Sequence, residues 1–286
     1  MRMLESLKGS TLNFTNETRE KIGQLVPSTI HSLLGYKRES VNFKHNADNP
    51  LPYNWVVVDE ASMIDVPMFS KLLAALGDST RIILLGDKDQ LASVEAGSLL
   101  GDLCQTLPSL NQFSNETAQW INQFITDDDR KINAEFIDDT KQLLAGHIIE
   151  LKFSHRFNSQ GAIGKLSRAV IDGKVEEVKA LIEHAQGSNV VVDQTYDPAL
   201  LENFVAGYAA FINEQNDYLA LKKLNDLRVL VAVRQGPRGL YAINKAIELQ
   251  LRKKGLIKPD DEFYENRPIM ITRNMYDLGL LNGDTG

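Results

Sequence analysis

Two adjacent carboxylates follow a short run of valines in the first third of the chain. Residues 56–58 are all valine, and Asp59 and Glu60 come directly after them. Ligands of an open α/β sheet bind beyond the carboxyl ends of its strands, so both acids stand where a ligand would arrive. The first acid can hold Mg2+, and the second can accept a proton from an attacking water molecule. The pattern therefore indicates metal-assisted phosphate hydrolysis, with a strand end that binds nothing as the plainer alternative.

A second polar group follows the next apolar run, 81–85. It reads Gly-Asp-Lys-Asp-Gln over residues 86–90. The carboxamide of Gln90 offers both a donor and an acceptor, so beside Asp59 and Glu60 it could orient water and sense a terminal phosphate. In isolation this run would be a surface turn. Combined with the two acids, it favours a phosphate-sensing loop.

The elements that must position these residues are two strands and the helix between them. Short β-rich runs at 55–58 and 81–85 alternate with helical periodicity, which is typical of a parallel α/β sheet. Asp65 stands at an N-cap position, Pro67 falls in the first turn, and the helix is expected to end near Gly77. Its apolar stripe comprises Val66, Phe69, Leu72, Leu73 and Leu76.

A second block of regular structure begins near Leu151. Helices are predicted over 163–171 and 175–182, with Gly173 between them, and over about 200–212. A buried strand is predicted over 228–233. It leads through a turn rich in glycine into a helix whose apolar face holds Leu240, Ile243, Ile247 and Leu251. No chemistry is expected between 107 and 146, where the pattern is polar.

Composition describes an ordinary folded protein. Of the 286 residues, 43% are hydrophobic and 24% charged, and the net charge is −7. An acidic chain does not hold nucleic acid through a general basic surface, although a narrow basic groove stays possible. The single cysteine, Cys104, has no internal disulfide partner, and no run of residues fits a signal peptide or a membrane span. We therefore predict a cytoplasmic protein without a membrane role.

The motifs resemble those of one helicase family. Residues 57–65 and 86–97 resemble motifs II and III of superfamily 1 DNA helicases, and more closely those of the alpha subunits of exodeoxyribonuclease V. Residues 29–35 resemble the segment that lines the single-strand DNA path in that family. Residues 153–157 resemble motif IV, with histidine in place of tyrosine and Arg156 in register. Residues 234–239 resemble a strand and turn that approach DNA.

The resemblance implies an α/β fold, namely a RecA-like P-loop NTPase helicase core with parallel sheets flanked by helices. We expect this core to be incomplete at both ends, because the chain has no Gly-x-x-x-x-Gly-Lys-Ser/Thr run and no motif V or VI. The implied domains are a partial motor domain 1 over 1–104, a helical connector over 105–150 and a partial motor domain 2 over 151–286. The last five residues, 282–286, resemble the start of a small β-barrel insertion.

The resemblance also implies roles for particular residues, with ATP and Mg2+ as cofactors. Asp59 would hold the metal, Glu60 would activate water, Gln90 would sense the terminal phosphate, and Arg156 would stabilise its charge. The candidate DNA contacts are Thr29, His31, Arg234 and Asn244.

The whole protein would then be an ATP-dependent 5'-to-3' helicase acting on single-stranded DNA and duplex ends. The implied partners are the beta and gamma subunits of exodeoxyribonuclease V, in double-strand break repair and recombination. A stand-alone superfamily 1 helicase and a non-catalytic DNA-binding scaffold are the alternatives. Without a P-loop the chain itself is expected to be inactive, and its uncovered sheet edges favour self-association.

Overall fold

A computed structural model describes residues 14–37, 40, 42–90, 99–140, 143–152, 161–183, 190–193, 198–258, 263–273, 275, 278–280 and 282–286. The chain divides into two compact units, 1–175 and 176–286. The boundaries predicted from the family resemblance stay a prediction.

The first unit places a pair of strands among helices. Two strands, β1 (Trp55–Val58) and β2 (Arg81–Leu84), pair in parallel from Trp55 opposite Arg81 to Val58 opposite Leu84. Both predicted strands are thus confirmed, the second one residue shorter than expected, and the α/β fold class is confirmed with them. In chain order, the helices are α1 (Asn16–Gln24), α2 (Ile30–Leu34), α3 (Val66–Ala74), α4 (Leu99–Gln105), α5 (Asn115–Asn122), α6 (Ala162–Ile171) and α7 (Val175–Glu183, across the unit boundary).

Helix α3 connects the two strands and begins where the sequence predicts. The N-cap Asp65 accepts a hydrogen bond from the backbone N–H of Met68 at 2.6 Å. Leu72 is fully buried, as expected, but Leu73 and Val66 are 44% and 47% exposed. The predicted stripe was wrong at those two positions, because the core lies against the face that carries Leu72 and Ala75.

The paired strands bury one face and expose the other. Val56 and Val58 are 6% and 7% exposed and belong to the core of this unit. Trp55, Val57 and Ile83 point the opposite way and are 54%, 46% and 39% exposed. The sequence predicts buried strands, and among the described residues only one face of the pair is covered, because alternate side chains of a strand point to opposite faces.

The second unit is built around three helices, α8 (Pro198–Ile212), α9 (Asp217–Asn225) and α10 (Leu240–Lys253). Its core contains Val205 and three residues from the predicted face of α10, namely Ile243, Ile247 and Leu251. The predicted strand 228–233 is wrong. That segment is irregular and has no β-bridge to any described residue. It still alternates as a strand would, since Val229 and Val231 pack on the core while Leu230 is 91% exposed.

Candidate active site at the strand ends

The segments that follow β1 and β2 are hydrogen-bonded to each other. The backbone N–H of Leu85 donates to the carbonyl of Val58 at 2.8 Å, which extends the parallel ladder by one residue. The N–H of Ala61 then donates to the carbonyl of Leu85, also at 2.8 Å. The chain after β1 therefore crosses the end of β2. The loops that carry the two acids and Gln90 lie at the same edge of the sheet.

Gly86 permits this close approach. A methyl group at its Cα would lie 3.0 Å from the backbone nitrogen of Ser62, 3.2 Å from that of Ala61, and 2.6 Å from the side chain of Leu100. The leucine could move, but the backbone contacts are tighter than most side chains tolerate. The sequence identified Gly86 only as the start of a loop, whereas the structure shows that it lets two loops pack together.

Glu60 has an unusual backbone conformation. Its φ of 54° and ψ of 40° lie in the left-handed region, where residues other than glycine are uncommon. Its N–H donates to the Oδ1 atom of Asp59 at 3.0 Å. The turn at Glu60 leads directly into a short 3-10 helix, Ala61–Met63. Residues with such strained backbone cluster at functional sites. Asp59 and Glu60 are both exposed to solvent.

A buried hydroxyl connects the two loops. The Oγ of Ser62 donates to the Oε1 atom of Gln90 at 3.4 Å, and Ser62 itself is only 1% exposed. The 87–90 loop is closed by its own turn, in which Asp87 accepts from the N–H of Asp89 at 3.0 Å and from that of Gln90 at 3.3 Å. Sequence reasoning missed Ser62. The available signal was a polar residue two positions after the acids, in a run that is otherwise apolar.

The donor groups at this edge fit a magnesium ion that arrives with a nucleotide. Mg2+ prefers oxygen ligands, and it is usually held by one or two carboxylates together with phosphates and water. Asp59 supplies one carboxylate at the strand end. Among the described residues there is no group of three or more His, Cys, Asp and Glu side chains that could enclose a metal. Asp59 is therefore suited to a magnesium site that the phosphates of a nucleotide and water complete, and not to a site made of protein ligands alone.

Two parts of the predicted site lie outside the described residues. Arg156 falls within 153–160, and the second half of motif III falls within 91–98. The acids and Gln90 lie together in the first unit, while Arg156 stays a prediction.

The candidate DNA contacts Thr29 and His31 lie at the start of α2. The Oγ1 of Thr29 accepts from the N–H of Ser32 at 3.2 Å, so this hydroxyl caps the helix. The exposed ring of His31 lies edge-on to Phe43, with ring centroids 5.7 Å apart. The ammonium of Lys71 lies 5.4 Å from the centre of the same Phe43 ring. Two basic side chains thus flank one aromatic ring.

The other two candidates, Arg234 and Asn244, lie in the second unit and are both exposed. Arg234 begins a turn that is closed by the N–H of Gly239 donating to the carbonyl of Gly236 at 3.1 Å. The carbonyl of Arg234 accepts from the N–H of Tyr241 at 3.4 Å, in the first turn of α10. Asn244 follows on α10. The structure therefore carries both residues on one turn and the helix that it starts.

Comparison with known proteins agrees with the geometry of the first unit. A family model described as an AAA domain matches residues 4–96. This range includes both strands, the two acids and Gln90.

None of the helices in the described residues has the length and apolar character that a membrane span requires.

Curated relatives match the chain over nearly its whole length. It is 32% identical to RecBCD enzyme subunit RecD of Haemophilus influenzae over 316 residues, covering 100% of this chain and 48% of the relative. It is also 32% identical to RecD of Mycolicibacterium smegmatis over 275 residues, covering 94% of this chain and 42% of the relative. A shorter match, 38% over 99 residues, links 34% of the chain to 14% of the ATP-dependent RecD2 DNA helicase of Deinococcus radiodurans. The chain matches a part of RecD and spans about half the length of these RecD relatives.

Proposed function

We propose that this chain, which matches a part of RecD, carries part of the ATPase machinery of an ATP-driven DNA helicase subunit. The observation that carries the proposal is the strained Glu60 beside Asp59, at the sheet edge where Gln90 also lies. A parallel sheet with acids beyond its strand ends is suited to binding a nucleotide. Left-handed backbone at a glutamate costs about 1–3 kcal/mol, which points to a functional reason for its retention.

In the proposed reaction each side chain has one task. Asp59 would hold Mg2+, which would neutralise phosphate charge when it is bound. Glu60, exposed and next in the chain, would take the proton of the attacking water. Gln90, tied to Ser62, would orient that water and sense the terminal phosphate. Arg156 would contribute positive charge to the transferring phosphate, as an arginine does in other phosphoryl-transfer enzymes.

The wider assignment is proposed from the family resemblance, and the RecD relatives support its coarser part, a helicase subunit. The whole protein would move 5'-to-3' along single-stranded DNA and act at duplex ends with the beta and gamma subunits of exodeoxyribonuclease V, in repair and recombination. Residues 1–104 and 151–286 would belong to two motor domains, joined by 105–150. Thr29, His31, Arg234 and Asn244 would contact the strand.

Substitution of the proposed base tests this function. In the full-length form, meaning the chain extended within its reading frame to the length of these relatives, Glu60→Gln should lower DNA-stimulated ATP hydrolysis roughly 10²- to 10⁴-fold. Nucleotide binding should persist, because the amide keeps the shape of the side chain and loses only its basicity. Turnover and fluorescent-nucleotide affinity would be measured together. Unchanged turnover in this variant would refute the role of Glu60.

Two further variants separate chemistry from folding. Glu60→Gly should lower hydrolysis by at least as much as Glu60→Gln. It should unfold at the same temperature as the wild type or a higher one, since glycine adopts the left-handed conformation without strain. Glu116→Gln removes another exposed glutamate of the first unit, in the first turn of α5, and should leave turnover unchanged.

A stand-alone helicase is the second candidate, favoured by the 38% match to RecD2. Co-expression of the full-length form with beta and gamma subunits distinguishes the two. Stable co-purification supports the complex, while full DNA unwinding by the isolated chain supports the free-standing enzyme. A chain that binds DNA but hydrolyses no ATP in either setting would be a scaffold.

A further inference from the structure

An ion pair connects the 87–90 loop to a residue of the first unit that is distant in the sequence. The ammonium of Lys88 lies 3.0 Å from Oδ1 of Asp89 and 3.4 Å from Oε1 of Glu150. Lys88 is two residues before Gln90, inside the turn that Asp87 closes. Glu150 is 62 positions later in the chain, so this contact depends on tertiary structure alone.

The backbone of Glu150 is held in place from the other side. The side chain of Asn111 accepts from the Glu150 N–H at 2.6 Å and donates to the Glu150 carbonyl at 3.0 Å. Asn111 itself is left-handed, with φ of 62°, and its own N–H donates to the carbonyl of Ile148 at 3.4 Å. These hydrogen bonds hold the backbone of residues 148–150 as the bonds of a neighbouring strand would. Glu150 therefore presents its carboxylate from a fixed backbone.

Partial burial strengthens the Lys88–Glu150 ion pair relative to a fully exposed ion pair. The side chains of Lys88 and Glu150 are 31% and 32% exposed, and both line a cleft of about 630 Å³ beside α4. The hydrogen bonds that Lys88 donates to Asp89 and Glu150 raise the pKa of its ammonium, although burial opposes the shift. Cys104 lines the same cleft. Burial raises the pKa of its thiol.

We infer that Glu150 is a positioning residue for the Asp87–Gln90 loop, acting through Lys88. The inference rests on the proposed function, in which Gln90 orients the attacking water. Holding Lys88 holds the turn that ends at Gln90, and a small displacement of a water-orienting group slows hydrolysis more than it weakens nucleotide binding. Glu150 also precedes Arg156 by six residues in the sequence.

Charge exchange tests the inference in the full-length form with single-stranded DNA. Lys88→Glu and Glu150→Lys should each lower kcat roughly three- to tenfold, with the KM for ATP unchanged. The double variant restores an oppositely charged pair and should recover most of the lost kcat. A purely structural role would change the unfolding temperature and the folded fraction without this split between kcat and KM. Each kcat is therefore calculated per mole of folded protein.

A matched pair in the second unit serves as the control. Lys223 and Glu214 lie 2.5 Å apart with side chains 42% and 19% exposed. Lys223→Glu should leave kcat unchanged, because neither residue has a described contact with Asp59, Glu60 or Gln90, the described residues of the proposed site. Wild-type kcat in both single exchanges, or a double variant no better than the poorer single one, would overturn the inference.

The Glu60→Gln variant keeps the two proposals apart. If it abolishes hydrolysis while the charge exchanges have no effect, only the positioning role of Glu150 fails. If Glu60→Gln hydrolyses ATP at the wild-type rate, only the proposed role of Glu60 fails. If the wild-type full-length form hydrolyses no ATP with single-stranded DNA, the proposed function fails and the inference fails with it.

Discussion

The two units contain the same sequence pattern, an apolar run followed by a polar turn and a helix, yet they use it differently. In the first unit 55–58 pairs with 81–84, and the polar residues after both strands meet at one edge. In the second unit 228–233 has no described strand beside it and packs only through Val229 and Val231. A hydrogen-bonded neighbour, more than the apolar run itself, makes the strand.

The difference extends to how each unit holds its candidate residues. The loops of the first unit are joined by the Ala61–Leu85 bond and by the Ser62–Gln90 bond. The turn at Arg234 in the second unit instead depends on close packing around Gly239, where a methyl group would lie 2.6 Å from the carbonyl oxygen of Gln235. We therefore expect the first unit to respond most to core changes and the second to a change at this glycine.

The largest effect should follow truncation of the core under the sheet. Leu72 is fully buried in α3 beneath β1 and β2, so Leu72→Ala removes apolar contacts and leaves a cavity. Destabilisation of about 2–5 kcal/mol is expected, measured by denaturant unfolding of the full-length form. A lower ATPase rate should accompany it, since the strand ends rest on this core.

The neighbouring leucine provides the control. Leu73 is 44% exposed, and Leu73→Ala should change the free energy of unfolding by less than about 1 kcal/mol. Equal losses at the two positions would restore the stripe predicted from sequence and contradict the burial that the structure shows.

The next largest effect should follow substitution of Gly239, the N-cap residue of α10. Gly239→Ala should destabilise the second unit by about 1–3 kcal/mol, because the contacts it meets are backbone atoms of Arg234 and Gln235 that must shift. Single-strand DNA affinity, measured by fluorescence anisotropy, should fall with it if Arg234 contacts DNA. Gly23 in α1 is the matched case with open space around it, and Gly23→Ala should stabilise by about 0.5–1 kcal/mol. Destabilisation of equal size at both glycines would contradict the packing argument.

The smallest effect concerns alkaline pH in the second unit. Partial burial, with Glu248 accepting the hydroxyl at 3.1 Å, raises the pKa of Tyr264 to about 12. The unfolded chain loses that proton near its ordinary pKa of about 10. The raised pKa therefore contributes stability that is fully present below about pH 10 and is lost as pH rises towards 12.

Ultraviolet titration checks this assignment. Subtracting the curve of Tyr264→Phe from that of the wild type should leave one phenol that ionises near pH 12, and the variant should lose less stability over the same range. A difference curve centred near pH 10 would show that Tyr264 is not perturbed.

Local patterns predicted much of the first unit. The valine run, the N-cap Asp65 and the helical spacing after it placed β1, α3 and β2 to within a few residues, because backbone propensity and side-chain periodicity act over short distances. The same reasoning placed Asp59, Glu60 and Gln90 after strands. It failed for 228–233, where the apolar pattern is present but no described strand pairs with it.

What the sequence determined by itself was therefore the type of residue at each strand end and the elements that carry them. The tertiary structure decided which face of the sheet is buried, that Glu60 turns left-handed, and that Ser62 and Gln90 meet. It also decided that Lys88 reaches Glu150. These contacts join residues up to 62 positions apart, and short-range propensity does not encode the partner of a side chain across such a distance.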